Sequence, residues 1–315
     1  MPSLKEINNR IASVRSTLKI TSAMKMVASA KLHKAQQAIG NMLPYEQLLL
    51  RVLEDLSAHV AALAAGKAEQ RPAHLLTVQR PVHRVAIVAF SSNTSLCGAF
   101  NASIIRETLS VIREYRDAGL AEEDIDVFPV GRKMADAMRK NGHPCAEDYS
   151  AMAEHPSYAA AAALSDLLQE GFVAGRFDRV ELVYNHYQSN ASQPCARRVF
   201  LPLESGAAPS VSMPGKVPAE SSREMLPQAR NPEDYLVEPD PETLLAQLRP
   251  QVLRLGIYTT LLDSNAAEHA ARTVAMQTAT DNGEQLLSEL TLEYNKGRQQ
   301  KITNEILDIV GGSFA

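Results

Sequence analysis

The residues of this 315-residue chain that could do chemistry are few, and their spacing argues against most of it. Cys97, in the run SSNTSLCGAFN, stands just before a helical pattern, where backbone amides can favour a thiolate. No His or Asp is placed by sequence to activate it, so a small buried thiol is expected there. Glu268 and His269 are adjacent, whereas two ligands sharing a metal from one helix face need a spacing of three or four, and no HExxH occurs. His186 in YNHYQSN reads as a strand or turn residue. Cys97, Cys145 and Cys195 lie far apart without a CxxC pair, which suggests neither a disulfide framework nor a zinc site and fits a reducing compartment. Neither GxGxxG nor GxxxxGK[ST] is present to cradle a phosphate. The expectation is a chain with no catalytic residue, no cofactor and no metal.

The elements that would have to position any site divide into three parts. From residue 1 to about 65, apolar positions step by three and four through Leu4, Ile7, Ile11, Val14, Leu18 and Thr21, the spacing of a coiled-coil seam. Pro2 and Ser3 offer a start. The seam then becomes small and soft through Met24, Ala28 and Ala35, so another backbone can come close. Pro44 is expected to kink or interrupt the helix, after which Leu48, Val52, Leu56 and Val60 resume the stripe.

Residues 80–203 alternate strand and helix. Val82 to Phe90, Ile125 to Val130, Phe177 to Tyr187 and Arg197 to Leu203 read as strands, with helices through Leu109 and Ile112, at Arg132 to Lys140 and at Tyr158 to Ala174. Asn141-Gly142 should cap the middle helix. This predicts a small Rossmann-like α/β domain with a partly parallel sheet. Residues 204–241 turn rich in Pro, Ser, Glu and Gly, as a surface insert or poorly ordered segment would. Residues 242–315 then carry a helical stripe through Leu244, Leu248, Val252, Leu255, Leu262, Ala266, Thr273, Met276, Thr280, Leu287 and Leu290.

A helix of that length would approach 100 Å at about 1.5 Å per residue, so it must leave its domain. The N-terminal segment is the one with a matching seam. The fold class expected is therefore α/β with dominant helix, a long antiparallel two-helix coiled coil from the chain's two ends plus the small α/β domain. Gly256, Gly283 and Gly297 each cost about 1 kcal/mol in a helix interior, which is read as close approach by another chain.

Charge and composition narrow the function. Tryptophan is absent and aromatics make up 5%, favouring helix over sandwich or barrel. A net charge of −4 excludes a uniformly basic nucleic-acid binder. Yet Lys5, Arg10, Arg15, Lys19, Lys25, Lys31 and Lys34 face the single acid Glu6 before Pro44, a face suited to acidic neighbours. No apolar run reaches the roughly 20 residues that span a bilayer, so no direct membrane insertion is expected.

Three segments carry a family resemblance: IASVRSTLKITSAMKMVASAKLHKAQ (Ile11 to Gln36), SSNTSLCGAFN (Ser91 to Asn101), and AMQTATDNGEQLLSELTLEYNKGRQQKITNEILDIVGGS (Ala275 to Ser313). Together they resemble the gamma subunit of F-type ATP synthases, the last being highly specific. The resemblance implies a central rotating shaft, one copy per complex, inside a ring of alternating alpha and beta subunits. Its foot would contact the epsilon subunit and the c-subunit ring, and active sites would lie on partner subunits. It also implies roles for particular residues. Arg298 and Gln299 would hydrogen-bond a carboxylate-bearing loop of one beta subunit, with Thr303 and Arg272 adding polar contacts and Met24 and Lys25 lying in the matching turn region of the other helix. Ile302, Ile306, Ile309 and Val310 would turn in an apolar sleeve, and Asn93, Cys97 and Gly98 would belong to a foot loop. The absence of an Arg-rich, Ser-rich leader favours the cytoplasmic face of a bacterial inner membrane.

Departures from the family are visible in the same residues. Asn93, Thr94 and Ser95 stand where the family commonly has an Asp and an Arg-Gly, and Gly297 stands where it usually has alanine. Two other classes compete with the shaft. A nucleotide-dependent enzyme would need a phosphate loop, which the sequence lacks, and a coiled-coil scaffold or nucleic-acid binder would need binding that weakens steeply with salt.

Overall fold

The computed structural model describes residues 3–65, 75–143, 145, 147, 149–203 and 237–312. Two helices dominate it. Helix α1 spans Leu4–Ala65 and the last helix, α6, spans Pro241–Gly312, its 72 residues reaching about 108 Å. Both starts are capped. Ser3 Oγ accepts the Glu6 amide at 3.2 Å, and Asp240 Oδ1 accepts the Thr243 amide at 2.9 Å.

The two helices run antiparallel, and the interface between them is built from the predicted seam. Ile7 and Ile11 bury against Leu290, with Val14, Leu287 and Tyr294 beside them. Further along, Thr21 and Thr280 share a 2.9 Å hydroxyl contact, and Leu32, Ala35 and Ile39 close on Leu262, Ala266 and Ala270. The glycines have a different cause from the one expected. A Cβ on Gly283 would lie 2.6 Å from Leu18 Cδ2, one on Gly297 3.1 Å from Leu4 Cδ2, and one on Gly256 3.2 Å from Arg198 Nη2. The close neighbour is this chain's own α1, or its own sheet, rather than a surrounding subunit.

Pro44 also departs from expectation, because α1 continues through it without interruption. The residue four positions earlier, whose carbonyl the proline ring would crowd, is Gly40 with open space around its Cβ position. Apolar burial against α6 persists on both sides of the proline, which holds the helix together. The stripe beyond it is shifted: Leu50, Leu53 and Leu56 are buried against Leu245 and Val252, while Leu48 is exposed.

Between the helices the described residues fold a four-stranded sheet in the order β2-β1-β3-β4, from β1 (Val85–Phe90), β2 (Ile125–Val130), β3 (Arg179–Asn185) and β4 (Cys195–Leu201). Strand β1 pairs in parallel with β2 and β3, and β4 returns antiparallel, so the sheet is partly parallel as the alternation implied. Helices α2 (Phe100–Asp117) and α3 (Arg132–Lys140) cover one face. The other face packs on α4 (Ser150–Glu154), α5 (Tyr158–Val173) and the α6 residues Leu253, Ile257 and Leu261. The short α4 has no counterpart in the sequence pattern. Gly142 sits at φ +84 just past α3, as the Asn-Gly pair suggested. Of the 204–241 segment, residues 204–236 lie outside the described residues.

Helix α6 therefore belongs to two structures at once. Its first half packs on the sheet as well as on α1, and its second half pairs with α1 in the coil. The Gly283 contact makes the pairing testable. Gly283→Ala adds about 1 kcal/mol of helix propensity but forces Leu18 aside at a cost of about 1–3 kcal/mol, so by itself it should not stabilise. In a Leu18→Ala background the same change should raise the thermal midpoint, read by far-ultraviolet circular dichroism.

Candidate functional site

The candidate site has two parts, a helix tip and a polar joint where the coil meets the sheet. The tip exists because the helices are offset. Helix α1 begins at Leu4, which lies against Gly297, so α6 from Arg298 to Gly312 extends about 22 Å further without α1 alongside. Along it Ile302, Ile306, Ile309 and Val310 form one stripe at helical spacing, and they are 47–73% exposed. Leu307 is 61% exposed beside them. Exposed apolar stripes of this kind mark interaction surfaces.

Polar residues surround the step where α1 begins. Gln299 and Thr303, joined by the Thr303 hydroxyl donating to the Gln299 carbonyl at 2.9 Å, line a groove with Leu4, Ile7, Lys296 and Gln300. Arg298 is exposed next to it, and no carboxylate among the described residues pairs with it. Met24 and Lys25 are placed differently from the expectation. Since Thr21 meets Thr280, they lie alongside the α6 turn near Met276 and Gln277, far down the rod from Arg298. Lys25 instead borders a groove with Ser22, Met26, Ser29, Ala30 and His33.

At the joint, the loop after β1 is held from inside. Ser92 N and Oγ both donate to Asn101 Oδ1, at 3.1 and 3.0 Å, and Asn101 Nδ2 reaches the Cys97 sulfur at 3.1 Å. Cys97 is 1% exposed, a structural thiol. Asn93 is turned inward: its Oδ1 accepts the Arg132 amide at the start of α3 (2.9 Å), and its Nδ2 donates to the Ser150 carbonyl (2.8 Å). Of the three foot-loop residues only Gly98, at φ +59, is exposed. Leu96 is presented to solvent at φ +68, a left-handed conformation uncommon for leucine.

Arg272 needs the same correction. It is buried, ion-paired to Glu268 at 2.5 Å, and donates to Thr94 Oγ1 at 2.8 Å, so it ties α6 to the loop instead of facing outward. Thr94 thus receives an arginine from within the chain. His269 lies beside this pair. Burial first, then the positive charges of Arg272 and Lys31, push its imidazole down to about 4, so it is neutral at physiological pH. Burial raises the Glu268 carboxyl, opposed by Arg272.

Two further ties are not visible in the sequence pattern. Asp263 on α6 accepts the Tyr187 amide at 2.8 Å and lies 2.6 Å from His186 Nδ1, while the Tyr187 hydroxyl accepts from Gln36 Nε2 of α1 at 2.8 Å. Glu46 of α1, 4% exposed, accepts from Thr259 of α6 at 3.2 Å and faces the charge of Arg198 on β4. Burial raises the Glu46 carboxyl and lowers the Arg198 guanidinium, and each opposes the other's shift. The available signal is polar residues at seam positions, Glu46 on α1 and Asp263 within the stripe of α6. Among the described residues no cluster of His, Cys, Asp and Glu could hold a metal, and no helix is long and apolar enough to cross a membrane.

Comparison with known proteins agrees with this architecture. A family model described as ATP synthase matches residues 3–315. The ATP synthase gamma chains of Phocaeicola vulgatus and Bacteroides fragilis are 49% and 50% identical over 315 residues, covering 100% of both chains in each case. Among solved structures, a chain of the Euglena gracilis mitochondrial ATP synthase OSCP/F1/c-ring in rotational state 3 superposes with a TM-score of 0.59 at 17% identity, covering 99% of this chain and 93% of that one. One from the Tetrahymena thermophila mitochondrial ATP synthase central stalk and c-ring gives 0.53 at 22% identity, over 82% and 99%. At those identities the structural likeness speaks to the fold.

The neutral state of His269 sets a pH dependence. Its folded pKa lies below the ordinary 6.5, so the unfolded chain binds the extra proton between the two values. Its contribution to stability is complete above about 6.5 and is lost as pH falls toward about 4. From pH 7 to pH 4.5, wild type should lose about 1–3 kcal/mol more unfolding free energy in urea than His269→Gln. Equal losses in the two proteins would remove His269 from the account.

Proposed function

This chain belongs to the ATP synthase gamma-chain family and is its central-stalk, rotor subunit, and on that premise we propose how its surfaces divide the work. The paired part of α1 and α6 runs as an axle inside the ring of alternating alpha and beta subunits. The sheet with its helices forms the foot, which takes up rotation from the c-subunit ring and the epsilon subunit. One copy serves each complex, at the cytoplasmic face of a bacterial inner membrane. The chain supplies no catalytic side chain, cofactor or metal, and ATP chemistry takes place on the beta subunits.

The observation that carries this reading is the offset of the helices, which leaves the Ile302-Ile306-Ile309-Val310 stripe exposed on a lone helix. Apolar contacts are non-directional, so a ring of apolar side chains around this stripe can hold the tip without fixing its angle. The polar residues at the step do the opposite. Arg298, Gln299 and Thr303 give a directional contact to a carboxylate-bearing loop of one beta subunit, and the planar guanidinium suits a carboxylate. A rod shifts a conformational equilibrium only by contacting the states unequally. Here the inequality comes from one polar patch on an asymmetric two-helix section, presented to each beta subunit in turn. Met24 and Lys25 form a separate contact zone lower on the axle, within the basic face of α1. Arg272 and Asn93 are left out of the contact set because they are engaged within the chain.

Replacing Arg298 and Gln299 together by alanine should slow ATP turnover by the complete complex roughly tenfold, equivalent to about 1.4 kcal/mol of barrier, with subunit stoichiometry unchanged. Steady-state ATP hydrolysis alongside native mass measurement reads both quantities. Unaltered turnover in a correctly assembled complex would remove these two residues from the contact.

A further inference from the structure

Helix α6 is built into the foot's core through Leu253, Ile257 and Leu261, so any turning of the foot moves it directly. Helix α1 is attached differently at the level of the β3–β4 turn, where its polar tie to the sheet's loops is Gln36 to Tyr187. Tyr187 is also where three groups of side chains meet. Its ring packs on the Leu32-Ala35-Ile39 and Leu262-Ala266-Ala270 interface, and also against Cys97, Phe100, Ala267 and Ala271. Its amide is fixed by Asp263, whose side chain is 2% exposed and whose other oxygen meets His186 Nδ1 at 2.6 Å. Its hydroxyl accepts from Gln36 and donates to Asn190 at 2.8 Å in each case. The residue is thus wedged between α1, α6 and the loop after β1, with both polar ends satisfied.

We propose that Tyr187, held by Asp263 and His186, is the torsional key of the rotor: a positioning residue that makes α1 and α6 turn as one rigid axle with the foot. The inference rests on the rotor reading above. A key of this kind works because half-buried hydrogen bonds resist shear in a direction that an apolar seam does not: helices can slide along a smooth interface, whereas a bond with defined donors and acceptors cannot follow. The seam nearest Tyr187 includes a small-residue stretch at Ala35, Ala266 and Ala270, between Leu32, Ile39 and Leu262. A fixed cross-link is most needed there. Asp263 contributes by removing the loop's freedom, so that torque reaching Tyr187 is not absorbed by bending of residues 186–194.

The test uses the complete complex, with the catalytic ring fixed to a surface, rotation stalled by bound nucleotide, and a probe particle on the foot. The width of the particle's thermal angular fluctuation measures torsional compliance between foot and ring. With the wild-type chain the particle should rotate in ATP, and failure of that step would overturn the rotor reading itself. Given rotation, Tyr187→Ala should widen the stalled angular variance by about twofold or more, since a partly satisfied network loses more than one bond. Tyr187→Phe and Gln36→Leu, which keep the packing, should widen it less, and Asp263→Asn should fall between. If Tyr187→Ala fails to assemble, the Phe and Leu variants decide. Unchanged variance in the variants that rotate would overturn the key, because a purely structural role would change yield or melting temperature and leave the compliance alone.

Discussion

The close approach of α1 and α6 is the constraint on which the other features depend. Two helices can pack along this length only if the residues between them are small or interlock. Leu18 over Gly283 and Leu4 over Gly297 are the interlocking points, and Ala28, Ala35, Ala266 and Ala270 supply the smooth stretch between the coil and the foot. Each glycine weakens its own helix by about 1 kcal/mol. The pairing offsets that cost by seating a leucine from the partner helix. Because the pairing ends at Leu4, the lone tip of α6 is a direct consequence of where α1 begins.

Burying charge where three elements meet gives the foot its connection to the axle. Glu46, Asp263, Glu268, Arg272 and Arg198 all lie at the coil–sheet junction, in surroundings that shift several of them away from their ordinary titration. Such groups are expensive to bury unless partners are well placed, and a hydrophobic replacement is often as stable. Their value here is directional. A polar contact specifies one register between sheet and helices, whereas the adjoining apolar clusters tolerate several. The Arg272–Thr94 bond illustrates the point within the loop after β1, where the Thr94 hydroxyl lets an internal arginine dock.

Much of the architecture is legible in the sequence because periodicity is a local property. The steps of three and four in the first and last segments, the short β-branched runs at Val85 and Ile125, and the Asn141-Gly142 stop all become elements close to where the pattern places them. The differences share one cause. Pro44 carries a local penalty that predicts a break, yet apolar burial on both sides of it carries the helix through. Leu48 joins the stripe by its spacing from Val52 and Leu56, but the partner surface selects Leu50 and Leu53. Gly283 does mark a close contact, made by α1 rather than by another chain, since sequence shows that something must approach without showing what.

The sequence by itself determined that both ends are helical, that a small sheet lies between them, and that no phosphate loop or metal motif is present. It also carried the family identity, because the terminal segments are contiguous and their side chains can be compared position by position. Tertiary structure decided the rest. Whether Arg272 and Asn93 face a partner or their own chain, and that Tyr187 sits between both helices, depends on residues far apart in sequence meeting in space. Spacing along one helix cannot encode such meetings. They are set by the register between helices and sheet, and that register is chosen only when the whole interface is buried at once.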